Sequence, residues 1–259
     1  YRLHVKTSAI TAALSRNYYS EFIDLRQPPA IDSVYWRPIP EKEGVQIYVA
    51  SHDPAKTTRY YQWTFVETYQ HDAYYDSPFV MMGGRPVRRT PGTEIHRCWS
   101  TENSTKINVA TTENLSDDMV RYPLTFIPKD SPKFSSLHGY YSILVEQMAL
   151  DEQGFKFWQQ LQKTTENIGG LFDPQPYQVT GNVHGTGNAA TDIVLGYFGG
   201  GAVSTMRIFI DPMDVPDYAK GNVFPVVCEL FNLEGPGSPP LNLLPDGTPL
   251  VLEAPATTS

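Results

Sequence analysis

The chain has 259 residues, of which 41% are hydrophobic and 19% charged, so it can bury a substantial core and wholesale disorder is excluded. Its formal net charge is −8. Phosphate backbones require clustered Lys and Arg, so nucleic acid is not an expected partner. The densest basic stretch, at Arg85, Arg88 and Arg89, lies among Gly and Pro residues and is predicted to be a solvated loop. No run approaches the roughly 20 apolar residues of a membrane-spanning helix.

The first 30 residues have the pattern of β-structure. Residues 1–7 alternate like the middle of a strand, and a second extended stretch follows at Tyr18–Leu25. Pro28 and Pro29 then form a stiff extended joint, which marks a predicted boundary. Because natural proteins seldom begin in mid-strand, residues 1–30 are predicted to be the remnant or end of an upstream β domain.

The next hundred residues, from Ile31 to about Pro128, are predicted to be all β. The expected strands are rich in aromatic and β-branched residues and are separated by Pro and Gly. They are Val45–Ala50, Tyr60–Tyr69, Glu94–Ser100, Lys106–Thr111 and Tyr122–Ile127. Strands at this spacing predict a β-sandwich.

One prominent amphipathic α-helix is predicted near residues 151–168. It follows another β run at Gly139–Leu150, and Asp151 can cap its N-terminus. Leu150 and Phe155 occupy the positions of a hydrophobic staple. The apolar stripe continues through Trp158, Leu161 and Thr165, and Gly169-Gly170 supplies the stop.

Further strands are expected after the helix, at Gln178–Val183, Ile193–Phe198 and Val203–Ile210, in a sheet that covers the helix. Residues 31–230 are thus predicted to be a mainly β core with one helix. Residues 231–259 are predicted to be a Pro-rich C-terminal tail.

The sequence contains no catalytic, cofactor-binding or metal-binding motif for which function is a better explanation than structure. His184–Ala190 fits a relaxed dinucleotide-binding fingerprint, but strand-like residues follow where that motif needs a helix. None of the six histidines has the i, i+4 spacing of a zinc helix. We therefore assign no catalytic residue, no cofactor and no metal ligand, and predict that the protein is not an enzyme.

Aromatic side chains are the one candidate for binding chemistry. Six of them lie within sixteen residues and are candidates for an interface: Tyr60, Tyr61, Trp63, Tyr69, Tyr74 and Tyr75. On an alternating strand about half would point inward, so core packing remains an equally valid interpretation. The Gly- and Pro-rich loops at 81–92 and 185–201 are the other candidate contact regions.

Several stretches together resemble a known family. Three of them resemble the middle region of the family: Pro29–Trp36, Tyr60–Tyr69 and Arg97–Trp99. The strongest match is the series that follows: Tyr141–Gln147, Phe157–Trp158, Thr165–Glu166, Gly170–Pro176, Gly181–Val183, Gly196–Phe198 and Arg207–Ile210. In order and content they are similar to the Bacteroidota lipoproteins known as domain of unknown function forty-two forty-nine. The resemblance covers roughly residues 1–230.

The resemblance implies a location and a partner. Members of the family typically carry a lipidated cysteine and an N-terminal β-sandwich ahead of the part that this chain matches, and are commonly associated with TonB-dependent transporters. It therefore implies a lipoprotein on the outer-membrane surface, joined to the membrane only by a lipid anchor. An accessory, lid or capture subunit of an integral β-barrel transporter is the leading hypothesis. A freestanding glycan- or peptide-binding module is the alternative, and a hydrolase is the third.

Two chemical modifications follow from the implied envelope location. In an oxidising compartment the two cysteines, Cys98 and Cys228, are predicted to form a disulfide, with two buried reduced thiols as the alternative. The family often ends in a Cys-x-x-Cys segment, from which the single Cys228 departs. Asp32-Ser33-Val34 resembles the O-glycosylation motif of that phylum, so Ser33 is a candidate glycosylation site.

Overall fold

A computed structural model describes residues 1–7, 15–72, 78–95, 97–129, 131, 133, 139–166 and 178–220. The described part is mainly β with one α-helix, as the sequence predicts. Its strands are β1 His4–Lys6, β2 Asn17–Ser20, β3 Ile31–Ile39, β4 Gly44–His52, β5 Tyr60–Asp72, β6 Phe79–Met82, β7 Arg85–Arg88, β8 Arg97–Asn103, β9 Asn108–Thr111, β10 Met119–Pro128, β11 Tyr141–Leu150, β12 Val183–Thr186 and β13 Ser204–Ile210. The helix α1 is Glu152–Glu166.

Two antiparallel sheets form a β-sandwich. One has three strands in the order β10-β4-β3, and the other has five, in the order β13-β11-β5-β8 with β9 also paired to β5. Alternate side chains of both sheets fill the core between them, because successive residues of a strand point to opposite faces. Trp63 of β5 is fully buried and stacks on Tyr122 of β10, with ring centroids 4.9 Å apart.

A polar chain crosses this core beside Trp63. The indole Nε1 donates to Oε1 of Gln147, at 2.9 Å, and Gln147 is itself fully buried on β11. Nε2 of Gln147 donates to Oγ of Ser51 on β4 and to the carbonyl oxygen of Pro29. Each polar side-chain atom of Trp63, Gln147 and Ser51 has a hydrogen-bond partner. A buried side-chain amide such as that of Gln147 is tolerated under this condition.

The helix begins as predicted and covers one end of the five-stranded sheet. Oδ1 of Asp151 accepts a hydrogen bond from the backbone N–H of Gly154 at 2.6 Å. Phe155 is buried and stacks on Tyr60, with centroids 5.1 Å apart. The predicted stripe needs one correction, because Phe157 is buried and Thr165 is exposed. The predicted stop at Gly169-Gly170 lies outside the described residues.

A small third sheet, in the order β1-β2-β12, joins the first residues of the chain to a segment that follows the helix. Residues 1–7 therefore pair within this chain, with Tyr19 of β2 opposite both His4 and His184. The structure does not test an upstream domain, which stays a prediction.

The strands predicted after the helix are only partly right. Ile193–Phe198 forms a single β-bridge, from Leu195 to Thr180, instead of a strand. The Asn182 side chain bonds both the N–H and the carbonyl of Phe198, which replaces a strand partner, and Gly196 has φ +109°. β13 does form, and it pairs with β11 at the edge of the five-stranded sheet, on which the helix packs.

Candidate functional site

The structure describes four of the six aromatic residues predicted as an interface, and three of these four lie in the core. Tyr61 and Trp63 are fully buried and Tyr69 is 3% exposed, because odd-numbered side chains of β5 face the inside of the sandwich. Tyr60 points outward but is half-buried under the helix. These side chains do not form an exposed contact surface. Tyr74 and Tyr75 lie outside the described residues.

The stretch predicted as a solvated loop contains a β-hairpin. β6 and β7 are antiparallel, with Met82 opposite Arg85. The two residues between them, Gly83 and Gly84, have φ +59° and +77°. Positive φ at both central positions defines a type I′ turn, whose twist matches that of the flanking strands, and glycine adopts it without strain.

This hairpin, which we call the arm, exposes apolar and basic side chains together. Met81, Met82 and Val87 are 58%, 61% and 43% exposed. Arg85 and Arg88 are exposed beside them. Among the described elements, neither strand of the arm packs extensively on any element except its partner. An isolated two-stranded hairpin is at best marginally stable in water, so the arm gains stability if another surface covers it.

A second exposed feature is the outer face of the three-stranded sheet. Tyr35 of β3 and Tyr48 of β4 stack with centroids 5.2 Å apart, and the Arg37 guanidinium lies 5.6 Å from the Tyr35 ring centre. Beside them is a depression of about 460 Å³, lined by Asp32, Ser33, Tyr35, Arg37, Ala50, Met119 and Arg121. The sequence reading missed this face, although alternation with buried Val34, Ile47 and Val49 is a signal that could have indicated it.

Two carboxylates meet at one end of the sandwich, where Glu67 of β5 is opposite Glu102 of β8. Glu67 is buried and accepts hydrogen bonds from Tyr141 and Lys133, and Lys133 also lies 3.3 Å from Glu102. A hydrogen bond from Tyr69 lowers the pKa of Glu102, while burial raises the pKa of Tyr69 to about 12. Both carboxylates have hydrogen-bond or ion-pair partners, so the cluster links β8 to the core.

The remaining predicted site residues are far apart along the chain. Ser33 is half-buried in the floor of the depression. Cys98 is an exposed free thiol on β8, and Cys228 lies outside the described residues, so their disulfide stays a prediction. Over the described ranges, no group of three or more His, Cys, Asp or Glu side chains could hold a metal ion. In the same part of the chain, no helix has the length and apolar character to cross a membrane.

Comparison with known proteins identifies the family. Searches of the curated proteins and of the solved structures find no significant match. A family model described as Domain of unknown function (DUF4249) matches residues 1–207, which is most of the chain and includes both sheets of the sandwich up to the middle of β13. The chain therefore belongs to the DUF4249 family.

Proposed function

We propose that this protein is a non-catalytic accessory subunit on the outer-membrane surface that docks on an integral β-barrel transporter through the arm. The observation that carries the proposal is the exposure of Met81, Met82 and Val87 next to Arg85 and Arg88. The lipid anchor and the transporter come from the family resemblance, and the arm supplies a docking surface for such a partner.

The chemistry of the arm suits a protein partner. Methionine side chains are flexible and polarizable, so they adapt to irregular apolar pockets. Arginines beside them can bond carboxylates through two parallel N–H groups, which fixes orientation. The arm carries two arginines and no acidic residue in a chain of net charge −8, so it complements an acidic rim around an apolar pocket.

Crosslinking tests the proposal directly. Met82 is replaced by a photo-crosslinking amino acid in the natural host, and the membrane fraction is irradiated. We expect a crosslink to an integral β-barrel protein, recognised by its heat-dependent electrophoretic mobility and identified by mass spectrometry. Arg85→Glu with Arg88→Glu should reduce this crosslink at least tenfold, because both charges of the arm are reversed.

The matched control is a crosslinker at Phe209, which is 76% exposed on β13 and lies outside the arm. It should give no β-barrel adduct. The proposal fails if the arm gives none either, or if charge reversal leaves the adduct unchanged. Equal adducts from Met82 and Phe209 would also contradict docking through the arm.

The alternative function, a freestanding glycan- or peptide-binding module, is favoured by one specific observation. The depression on the outer face of the three-stranded sheet has the polar and aromatic lining of a small-ligand site. The two functions use separate surfaces and are compatible with each other.

A further inference from the structure

The depression arises from small side chains in the middle of a sheet face. Strand pairing aligns Ser33 with Ala50 and Ala50 with Arg121, so these residues form one row across the three strands. The next row contains Tyr35 and Tyr48, whose rings stack on each other, and Tyr35 lines the depression. The small residues leave a floor between taller walls, and the volume of about 460 Å³ lies within the range of small-molecule sites.

The lining has an excess of positive charge. Arg37 and Arg121 are both exposed and line the depression from different strands, and neither forms an ion pair with any described residue. The one acidic side chain in the lining is Asp32, and Nδ1 of His52 lies 2.7 Å from its carboxylate. The lining therefore contains two guanidinium groups and one carboxylate, which already has a partner, in a chain that is acidic as a whole. This favours an anionic ligand.

The remaining lining groups fit a hydroxylated ring. Ser33 and Tyr35 carry hydroxyls, and the Asp32 carboxylate can accept from a ligand hydroxyl. Ala50 and Met119 supply the apolar surface that a sugar ring covers with its C–H face. Groups that can bind a carboxylate and groups that can bind hydroxyls therefore line the same depression.

We infer that the depression is a binding site for a sugar acid, a pyranose ring bearing a carboxylate. Arg121 and Arg37 bind the carboxylate, while Asp32, Ser33 and Tyr35 bind the hydroxyls. The site lies on a different surface from the arm and does not depend on the proposed docking function.

Calorimetric titration of the full chain tests this inference. The probes are trigalacturonate and trimannuronate, each compared with its methyl ester, which keeps the sugar and removes the charge. We expect one free acid to bind and its ester to bind at least tenfold more weakly. Arg121→Gln and Arg37→Gln should each weaken binding of that acid by about tenfold or more, the effect of losing one charge-assisted hydrogen bond. Ala50→Phe should abolish binding by filling the floor.

The matched control is Arg88→Gln, which makes the same charge change on the arm and should leave sugar binding unchanged. An unchanged thermal midpoint shows that each variant is folded. The inference is wrong if neither acid binds, if ester and acid bind equally, or if Arg88→Gln weakens binding as much as Arg121→Gln. Tighter binding of hexaglutamate than of either sugar would assign the site to acidic peptides and overturn it.

Discussion

Nε of Arg97 lies 2.9 Å from Oδ1 of Asp72, and the two residues are paired across the last position of β5 and the first of β8. The other carboxylate oxygen of Asp72 accepts from Nε2 of Gln70 at 2.8 Å. The pair therefore joins the two ends of the segment 73–96, which carries the arm. We therefore expect this ion pair to restrain the segment that carries the arm.

Asp72→Asn should loosen this segment without unfolding the sandwich. Because the Arg97 side chain is 53% exposed, the pair contributes less than about 1 kcal/mol to global stability. We expect trypsin to cleave after Arg88 and Arg89 several times faster in the variant, with nearly the same unfolding midpoint. Glu43→Gln removes an exposed ion pair to Lys129 elsewhere and should not change the cleavage rate. Equal cleavage of Asp72→Asn and the wild type would refute this role.

Gln147→Leu should cost about 1–3 kcal/mol in the free energy of unfolding, because it leaves the buried indole N–H of Trp63 without an acceptor. Urea unfolding followed by tryptophan fluorescence measures the loss. Glu146→Gln is the control, since the neighbouring side chain is half-buried on the opposite face, and it should change stability by well under half as much. If the two variants are equally stable, the polar chain across the core contributes little.

Asp53 should make stability depend on acid pH. Burial raises its pKa, but hydrogen bonds from the backbone amides of Thr58, Thr57 and Ala55 and from the Thr57 hydroxyl outweigh burial and hold the pKa below its usual value. The stabilisation is therefore complete above the unfolded-state pKa of about 3.9 and is lost as the pH falls through the lower native pKa.

Asp53→Asn should accordingly lower the unfolding free energy at pH 7, and its difference from the wild type should shrink as the pH falls below about 4. Denaturant titrations at several pH values between 7 and 3 measure this. Asp24→Asn changes an exposed carboxylate and should show no such dependence. A difference that stays constant over the whole pH range would contradict the linkage.

The predicted disulfide between Cys98 and Cys228 is testable by thiol labelling. The natural protein, purified without a reducing agent, should react with maleimide at neither cysteine until it is reduced. Cys98→Ser should lower the unfolding free energy by at most about 5 kcal/mol, the chain-entropy value for a loop of roughly 130 residues. Cys98 is exposed on β8, so a free thiol would label rapidly. Rapid labelling of the unreduced natural protein would exclude the bond.

The sequence predicts where the strands and the helix lie better than it predicts which face of each strand is buried. The run Tyr60–Tyr69 identifies β5, but alternation alone does not tell whether the odd or the even side chains face the core. That choice depends on packing against Tyr122, which comes from a strand far away in the chain. Gly83, Gly84 and Pro86 interrupt the strand pattern in the arm and therefore predict a loop. A Gly-Gly pair is, however, also typical of a two-residue hairpin turn.

Alternation along β3 and β4 could indicate the outer face of the three-stranded sheet, but not which residues of the candidate sugar-acid site come together on it. Ser33, Ala50 and Arg121 come together only through the strand order β10-β4-β3. The strand predicted at Ile193–Phe198 is wrong for a similar reason. The side chain of Asn182 forms the hydrogen bonds to Phe198 that a neighbouring strand would otherwise form. In both cases long-range pairing decides the structure.

The pairing of β2 with β12 has a consequence for the order in which the molecule assembles during synthesis. β1 and β2 can form their hairpin as soon as the first twenty or so residues are available. The other edge of β2 receives Val183–Thr186 only roughly 160 residues later, after β3 to β11 and the helix have been made. Until then the backbone groups on that edge are open to pairing with any extended chain nearby. Completion of this small sheet therefore has to wait until most of the chain has been made.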